Sequence, residues 1–367
     1  MNPKRLCALD VLRGLTIAAM ILVNNPGSWK SVYPPLRHAS WHGWTLTDLV
    51  FPLFVFIVGV SLALSLSARI EAAGSKKEVM RKVLARSGII FVLGLLLHLF
   101  PRFQMAGLRL PGVLQRIALC YLFASLAYLV AGKKARLALV LALLAGYWLA
   151  LKLIPVPGYG PGVLTLEGNL PAYVDSRLLA GHLYKPGFDP EGLLSTMPAI
   201  ATALIGTLAG DWLLMNKTLV RKASALMCAG AALAALGLLL HPQMPINKQL
   251  WTSTFVLFAG GGALLLLGAT VLVTETFRLR AWAYPFLVLG TNAIAVFVLS
   301  TLMTKTLLWV KVGSGGNRQT LYAWIYQNLF ASWVGPALGS LVFSLAYVLG
   351  WVLLMLPLYR RRIFIKV

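Results

Sequence analysis

Asp10-Val-Leu-Arg-Gly-Leu-Thr-Ile-Ala-Ala-Met-Ile-Leu-Val-Asn24 is the most informative segment of this chain. It belongs to an apolar run long enough to cross a bilayer, yet it holds Asp10 and Arg13. Ionisable groups at membrane depth are costly and are therefore usually functional. The same two charges interrupt what would be the apolar core of a signal peptide, and no small-residue cleavage site follows. We therefore expect a permanent membrane helix that lines a functional site.

Apolar runs of this kind recur along the chain. The 367 residues are 59% hydrophobic and 12% charged, whereas about a quarter of a soluble globular protein is charged. We predict an all-α integral membrane protein, a polytopic bundle of about ten transmembrane helices with two ordered external loops, forming a single domain over residues 1–367. The amphipathic, aromatic segment 321–334 is placed at the membrane interface or as a re-entrant piece. The predicted helices span 8–27, 46–68, 83–100, 111–131, 136–153, 192–215, 223–241, 249–275, 283–304 and 336–358.

The net charge of +23 follows the predicted topology. Twenty of the 33 Lys and Arg residues fall on the side where the chain begins, eleven fall on the opposite side, and Arg13 and Arg116 lie within spans. This asymmetry is the positive-inside pattern, so we expect both termini in the cytoplasm and no nucleic-acid partner. The three cysteines have no spacing typical of a disulfide framework or a zinc site. No metal-binding or ATP-binding motif is present, so no metal cofactor is expected.

Two predicted external loops are rich in aromatic residues, Pro and Gly. They cover residues 27–45 and 154–191. Loops this long in a compact protein are usually functional or disordered, and the aromatic content argues against disorder. Aromatic faces such as that of Trp41 suit a sugar-like ligand. An ordinary aromatic belt at the membrane interface explains them equally well.

Arg13 and Asn24 share one face of the first helix, because eleven positions are close to three helical turns. One face thus offers a cation near one end and an amide near the other. A long anionic cofactor that entered from the cytoplasm would place its phosphates near Arg13 and its reactive end near Asn24. The alternative is that Arg13 pairs with Asp10, three positions away, and only anchors the helix.

His38 is the best candidate for a general acid or base, since imidazole titrates near neutral pH. Asp48 could orient the ring of His38, or it could cap the second helix in the pattern Thr45-Leu-Thr-Asp48. His42 has similar neighbours and weaker support. His98 and His241 fall at helix ends and are interpreted as interface residues, and His182 stays open.

Further polar residues cluster near the external ends of the predicted helices. Gln115 and Arg116 would bind the cofactor, and Arg116 could polarise a carbonyl group or bind a carboxylate in the core. Asn292 lies within the ninth predicted helix. Asp189 and Glu191 would hold a cationic substrate, or would form a helix start. The candidate substrate-binding residues are Trp41, Asp189, Glu191, Asn247, Lys248 and Trp251, and the candidate cofactor-binding residues are Arg13, Gln115, Arg116 and Asn292.

At these residues the chain resembles the heparan-α-glucosaminide N-acetyltransferase family in a short bacterial form. The motifs are Leu9-Asp-Val-Leu-Arg-Gly14, Arg37-His-Ala-Ser-Trp-His-Gly43, Asp48-Leu-Val-Phe-Pro-Leu-Phe-Val-Phe56, Gly112-Val-Leu-Gln-Arg116, Phe188-Asp-Pro-Glu-Gly192, Asn247-Lys-Gln-Leu-Trp251 and Gly290-Thr-Asn-Ala293.

The resemblance implies an enzyme of the bacterial inner membrane. It would move acetyl from cytoplasmic acetyl-CoA to a glucosamine amine on the periplasmic side. It places the family's active-site histidine on His38 and its pocket asparagine on Asn24. From this resemblance the chain is expected to differ from the family in having no large luminal domain, which leaves the acceptor sugar open. An acetyl-histidine route, a homodimer and, from another class of function, an amino-sugar transporter also remain open. Weak symmetry between halves would favour the transporter, and none is visible.

Overall fold

Long helices make up most of the protein in the computed structural model, which describes residues 6–73, 75–313 and 318–365. A two-stranded hairpin, β1 (Lys311–Val312) and β2 (Gln319–Thr320), follows α11. The helices are α1 (Cys7–Asn24), α2 (Leu46–Ala73), α3 (Lys76–Leu99), α4 (Val113–Val130), α5 (Lys133–Leu153), α6 (Leu170–Leu178), α7 (Leu193–Leu214), α8 (Leu219–Leu239), α9 (Ser253–Val271), α10 (Tyr284–Gly290), α11 (Ala293–Trp309), α12 (Leu321–Tyr326), α13 (Ser332–Val334) and α14 (Pro336–Arg360).

Nine helices in the described part of the chain are long and apolar enough to cross a membrane, or ten if one bent pair counts as a single span. The prediction of a polytopic α-helical membrane protein is confirmed. The bent pair joins Ala281–Gly290 to Ala293–Trp309 at an angle of 74°. The prediction of one continuous helix over 283–304 was therefore wrong. Asn292 has a non-helical backbone (φ −126°, ψ 35°), and its side chain is bonded outside both helices, as described below.

Several helices begin earlier than their apolar runs. α3 begins at Lys76 rather than at residue 83, and α8 begins at Leu219 rather than at residue 223. The extra turns are polar, so hydropathy alone does not detect them. For α8 the start is fixed by Thr218, whose hydroxyl accepts a hydrogen bond from the backbone of Arg221. The segment 321–334 is largely helical, and its placement at a membrane interface stays a prediction.

The bundle has two faces, because successive helices joined by short turns run in opposite directions. The basic face contains the start of α1, the starts of α3, α5 and α8, and the end of α14. The loop face contains the four longer segments 25–45, 100–112, 154–192 and 240–252. Every site described below is placed relative to these two faces.

Two glycines allow α10 to cross α1 at very short range. A Cβ atom on Gly14 would lie 1.7 Å from the carbonyl oxygen of Phe286. A Cβ atom on Gly290 would lie 2.0 Å from the carbonyl oxygen of Asp10. Small residues let membrane helices approach this closely. The crossing fixes the end of α10, and therefore the helix break, beside Asp10 and Arg13.

Candidate active site

His38 and Asp48 form a hydrogen-bonded pair on the loop face. The Nδ1 atom of His38 lies 2.7 Å from Asp48 Oδ1. The other carboxylate oxygen accepts the backbone N–H groups of Ala39 at 3.0 Å and Thr45 at 3.1 Å. Asp48 therefore both orients the ring and caps α2, so the two roles that the sequence left open coexist. With its Nδ1 proton donated to a carboxylate, His38 keeps Nε2 as the proton acceptor.

Lys248 brings a third charge to this pair. Its Nζ atom lies 3.3 Å from His38 Nδ1 and 3.8 Å from Asp48 Oδ1. Burial lowers the pKa of Lys248 below its ordinary value, while the nearby carboxylates of Glu191 and Asp48 act in the opposite direction. The structure thus places this predicted substrate-binding lysine directly beside the predicted base.

His42 lies in a different environment from His38. Its Nδ1 atom lies 3.2 Å from the amide nitrogen of Asn247, and Asn247 Oδ1 accepts the backbone N–H of Leu250. Burial lowers the pKa of His42, and nearby His241 lowers it further. Within the described residues no carboxylate pairs with His42. Asn247 is fully buried, so its amide connects two loops instead of facing a saccharide.

The two tryptophans predicted to bind substrate differ in accessibility. Trp41 is half-buried, donates its indole N–H to the carbonyl of Leu164 and meets Phe188 edge-on with ring centroids 5.5 Å apart. It therefore connects the two external loops. Trp251 is only 1% exposed, with its indole N–H bonded to Thr202. The prediction that Trp251 binds substrate does not fit this burial, since its ring packs inside the helix bundle.

Asp189 and Glu191 bind an arginine that the sequence analysis did not single out. Arg109 donates from Nε and Nη2 to the two carboxylate oxygens of Asp189, at 2.8 and 2.7 Å, and also from Nη2 to Glu191. Burial opposes the charge of the guanidinium, but the two carboxylates raise the pKa of Arg109. Arg109 thus offsets part of their negative charge, and the prediction that they hold a cationic substrate stays a prediction. Two acidic residues close together in the sequence were the available signal for such a partner.

Arg116 is buried and joins α4 to the start of α7. Its Nη2 atom donates to the carbonyl oxygen of Gly192 at 3.2 Å and to the hydroxyl of Ser195. Its guanidinium lies over the ring of Trp251, 5.0 Å from the centroid. The residue is 1% exposed and lies outside the linings of both cavities described next. The predicted role of Arg116 at a carbonyl of the cofactor therefore lacks an access route in this conformation.

The loop-face cavity has a volume of about 660 Å³ and lies between the ends of α1 and α3, the start of α4, α11 and the segment 100–112. Asn24 and Gln115, predicted from sequence, both line it. It is also lined by Arg102, Arg109 and Lys305, and its described lining contains no carboxylate. His38 is not among the described lining residues.

His98 lines the loop-face cavity beside these amides, although the sequence analysis had placed it at the membrane interface. Its Nδ1 atom bonds the carbonyl oxygen of Arg109 at 2.8 Å, so Nδ1 carries the proton and Nε2 does not. A Cβ atom on Gly112 would lie 2.6 Å from His98 and 2.7 Å from Gln115. The glycine in Pro111-Gly-Val therefore makes room for both side chains.

The basic-face cavity has a volume of about 510 Å³ and is lined by Arg13, Ser61 and Arg86. Arg13 donates to Asp10 at 2.9 Å and to Ser61 at 2.8 Å. The pairing with Asp10 therefore exists, and Arg13 faces a cavity as well. Arg86, which the sequence analysis counted only as a topological charge, lies over the ring of Tyr121. Its Nε atom has no hydrogen-bond partner among the described residues.

The two cavities follow the same helices. On each of three helices, one residue lines the loop-face cavity and another residue, three or four positions away, lines the basic-face cavity. This separation is about one helical turn, or about 5 Å. α1 also joins them, with Arg13 at one cavity and Asn24 at the other. The paired lining residues are Ile90 and Gly94 on α3, Ile117 and Leu114 on α4, and Ile294 and Phe297 on α11.

Comparison with known proteins assigns the chain to a family. Residues 5–241 match the family described as heparan-alpha-glucosaminide N-acetyltransferase, catalytic. The chain belongs to this family. It is 33% identical over 266 residues to the human heparan-alpha-glucosaminide N-acetyltransferase, covering 59% of this chain and 39% of the human protein. It is 31% identical over 267 residues to the mouse protein, covering 59% and 40%. The chain thus spans about two fifths of the length of these relatives.

Some predicted site residues lie outside the part matched to the N-acetyltransferase family. Arg13, Asn24, His38, Asp48 and Gln115 fall inside residues 5–241. Those that follow residue 241 are Asn247, Lys248, Trp251 and Asn292.

Asn292 occupies the break between α10 and α11. Its neighbours Thr291 and Ala293 line the basic-face cavity, but its own amide bonds backbone atoms of the segment that follows α14. The side-chain nitrogen donates to Ile363 O at 3.2 Å, and the side-chain oxygen accepts Ile365 N–H at 2.8 Å. The prediction that Asn292 binds the cofactor directly does not fit these bonds.

Proposed function

We propose that this protein is a membrane N-acetyltransferase that moves acetyl from acetyl-CoA to the amine of glucosamine or of a glucosamine-containing saccharide. The observation that carries the proposal is the alignment of two cavities along α1, with Arg13 at one and Asn24 at the other. A long donor can reach from one to the other, and membership of the N-acetyltransferase family supplies the reaction class.

The basic-face cavity suits the nucleotide end of the donor. Two guanidinium groups, Arg13 and Arg86, line it, and its described lining holds no carboxylate. Guanidinium binds phosphate oxygens through charge-assisted hydrogen bonds, and the Nε atom of Arg86 is still without a partner. The acyl end would extend toward Asn24 and Gln115, and Asn24 lies about three helical turns from Arg13 along α1.

The chemistry assigns separate tasks to the two predicted catalytic groups. His38 Nε2 takes a proton from the acceptor amine, and Asp48 stabilises the resulting imidazolium. The amine nitrogen bonds to the acetyl carbon as the carbon–sulfur bond breaks, and the sulfur leaves as a thiolate. The amide N–H groups of Asn24 and Gln115 stabilise negative charge on the carbonyl oxygen. Since His38 lies outside the loop-face cavity, the acetyl group must reach the edge of that cavity, so that one amine nitrogen can contact both the acetyl carbon and His38.

Acetylation assays with purified protein test the proposal. Labelled acetyl-CoA would be offered with glucosamine, with a glucosamine-terminated disaccharide and with a simple alkylamine. We expect acetylation of the two sugars and slow reaction of the alkylamine. Consumption of acetyl-CoA without any acetylated amine would exclude the amine-acceptor assignment. A stable acetyl group on His38, detected by mass spectrometry, would select the acetyl-histidine route over direct transfer.

We also propose that the basic face meets the cytoplasm of a bacterial inner membrane and the loop face meets the periplasm. The positive-inside rule supports this orientation. The test is labelling of whole cells with an impermeant thiol reagent, in a Cys228→Ser background because Cys228 is exposed. Tyr159→Cys should be labelled and Ser75→Cys should not. The reverse pattern would invert the orientation and the donor side with it.

A transporter of amino sugars is the second candidate, and one specific observation favours it. The span formed by α10 and α11 is broken with a 74° bend, and discontinuous membrane helices commonly hold the substrate in transporters. Proteoliposomes loaded with buffer and given labelled glucosamine distinguish the two. Saturable uptake of unmodified glucosamine, with no acetylation in the parallel assay, would establish the transporter.

A further inference from the structure

The segment that follows α14 is folded back onto the basic-face cavity. α14 ends in a Schellman motif: Arg362 has a positive φ of 55°, its N–H bonds Tyr359 O, and the N–H of Ile363 bonds Leu358 O. This turn reverses the chain direction. The next residues, Ile363–Ile365, are called the strap below.

The strap is held by one residue from another part of the bundle. Asn292 donates to Ile363 O and accepts from Ile365 N–H, so its amide satisfies one backbone acceptor and one backbone donor of the strap. Asn292 is 1% exposed, and helix packing fixes its position at the end of α10. Such a two-sided amide contact holds a short extended segment in one register.

Held in this way, the strap forms a wall of the basic-face cavity. Phe364 and Ile365 line it together with Arg13 and Arg86. The cavity keeps a volume of about 510 Å³ with the strap in this position, so the strap encloses the space without filling it. A cavity lined by a phenyl group and by two guanidinium groups is suited to a planar base that carries phosphates.

We propose that the strap is part of the nucleotide subsite for the donor, and that Asn292 is the residue that positions it. This inference rests on the proposed function. It assigns the adenine and ribose phosphates of the donor to the space between the strap and the two arginines. Asn292 would then influence donor binding through the position of the strap, without contacting the donor.

Binding measurements on detergent-purified protein separate this role from general damage. We expect Asn292→Ala to weaken binding of CoA and of adenosine 3′,5′-bisphosphate by about tenfold, as the loss of two hydrogen bonds implies. Binding of pantetheine, which lacks the nucleotide, should not change. The matched control is Asn328→Ala, an exposed asparagine whose amide nitrogen donates to Trp324 O. Unchanged CoA affinity in Asn292→Ala, or equal weakening for pantetheine, would overturn the inference.

A second measurement does not depend on that variant's stability. Ile365→Cys in the Cys228→Ser background would be labelled with a maleimide. CoA and adenosine 3′,5′-bisphosphate should slow labelling several-fold, and pantetheine should not. Unprotected labelling in a protein that binds CoA saturably would overturn the strap assignment and leave the proposed function standing. A folded protein that binds no CoA would overturn the proposed function and the inference with it.

Discussion

Asp48 uses its two oxygens for different partners: Oδ1 lies 2.7 Å from His38 Nδ1, whereas Oδ2 holds the backbone at Ala39 and Thr45. The group that would set the histidine tautomer is therefore the same group that fixes the start of α2. Ring orientation and helix geometry are set together, so the two effects must be separated by experiment.

The first prediction concerns the two loop histidines. His38→Ala should lower acetyl transfer by about 10²–10⁴-fold, the usual loss for a missing general base. His42→Ala is the matched control, because His42 is exposed in the same loop and bonds an asparagine instead of a carboxylate. Steady-state rates with glucosamine measure both. Near-normal turnover in His38→Ala, or an equal loss in His42→Ala, would remove His38 from the mechanism.

The second prediction separates the two roles of Asp48. Asp48→Asn keeps an oxygen that can accept the N–H of Thr45, but its amide cannot hold a protonated His38 Nδ1 in place and balance its charge. We expect a rate loss comparable to that of His38→Ala, with only a small change in thermal stability. Asp48→Ala should lose both activity and about 1 kcal/mol of stability from the lost cap. If Asp48→Asn retained full activity, the carboxylate would be structural alone.

The third prediction tests Arg86 as a phosphate ligand. Arg86→Gln should weaken CoA binding about tenfold and leave binding of pantetheine unchanged, because only the nucleotide carries the phosphates near this side chain. Arg81→Gln is the control, since Arg81 is exposed on the same helix and does not line the cavity. Calorimetry of both variants is the measurement. Equal CoA affinity in the two variants would argue against a phosphate site at Arg86.

The fourth prediction is a pH dependence of stability. Burial raises the pKa of Asp175 from 3.8 to about 6, and its Oδ1 caps the N–H of Leu193 at the start of α7. The folded state therefore binds the carboxyl proton of Asp175 more tightly than the unfolded state does. Its contribution to stability is fully present below pH 3.8 and declines as pH rises to about 6, by up to about 3 kcal/mol.

Asp175→Asn tests that dependence, because the amide resembles the protonated carboxyl and still accepts the N–H of Leu193. The wild type should lose stability relative to the variant as the pH rises from about 4 to about 6. Thermal unfolding in detergent across this range measures the difference. If the stability of the two proteins changed equally with pH, Asp175 would not be the source of the pH dependence.

The fifth prediction concerns the helix crossing. Gly14→Ala places a methyl group where the carbonyl of Phe286 lies, so the α1–α10 contact must open and stability should fall by about 1–3 kcal/mol. Gly146→Ala is the control, because a Cβ atom there has nothing within 4 Å. Thermal unfolding compares them. Equal stability of the two variants would contradict the close crossing.

The membrane helices were predictable because hydropathy over about 20 residues reports burial in lipid directly. The pairing of His38 with Asp48, and of Arg13 with Asp10, was also predictable, since each pair is close in the sequence. The break at Asn292 was not, because it is fixed by the close crossing of α10 over α1, and the amide of Asn292 bonds the strap, 71 positions away along the chain.

The long-range partners in the candidate site were beyond sequence reasoning for the same reason. Arg109 and Asp189 lie 80 positions apart and meet only because the segment 100–112 and the long loop share the loop face. Lys248 meets His38 across 210 positions. Burial could not be read from the sequence either: Trp251 was predicted to bind substrate, but tertiary packing encloses it.

The position of Asn292 couples the helix break to the strap. One side of this residue is the joint between α10 and α11, and the other side is attached to the strap. Any rotation of α11 against α10 must therefore pull on the strap, while α11 itself carries wall residues of both cavities. Access of the donor to the basic-face cavity and the shape of the loop-face cavity would then change in a single movement.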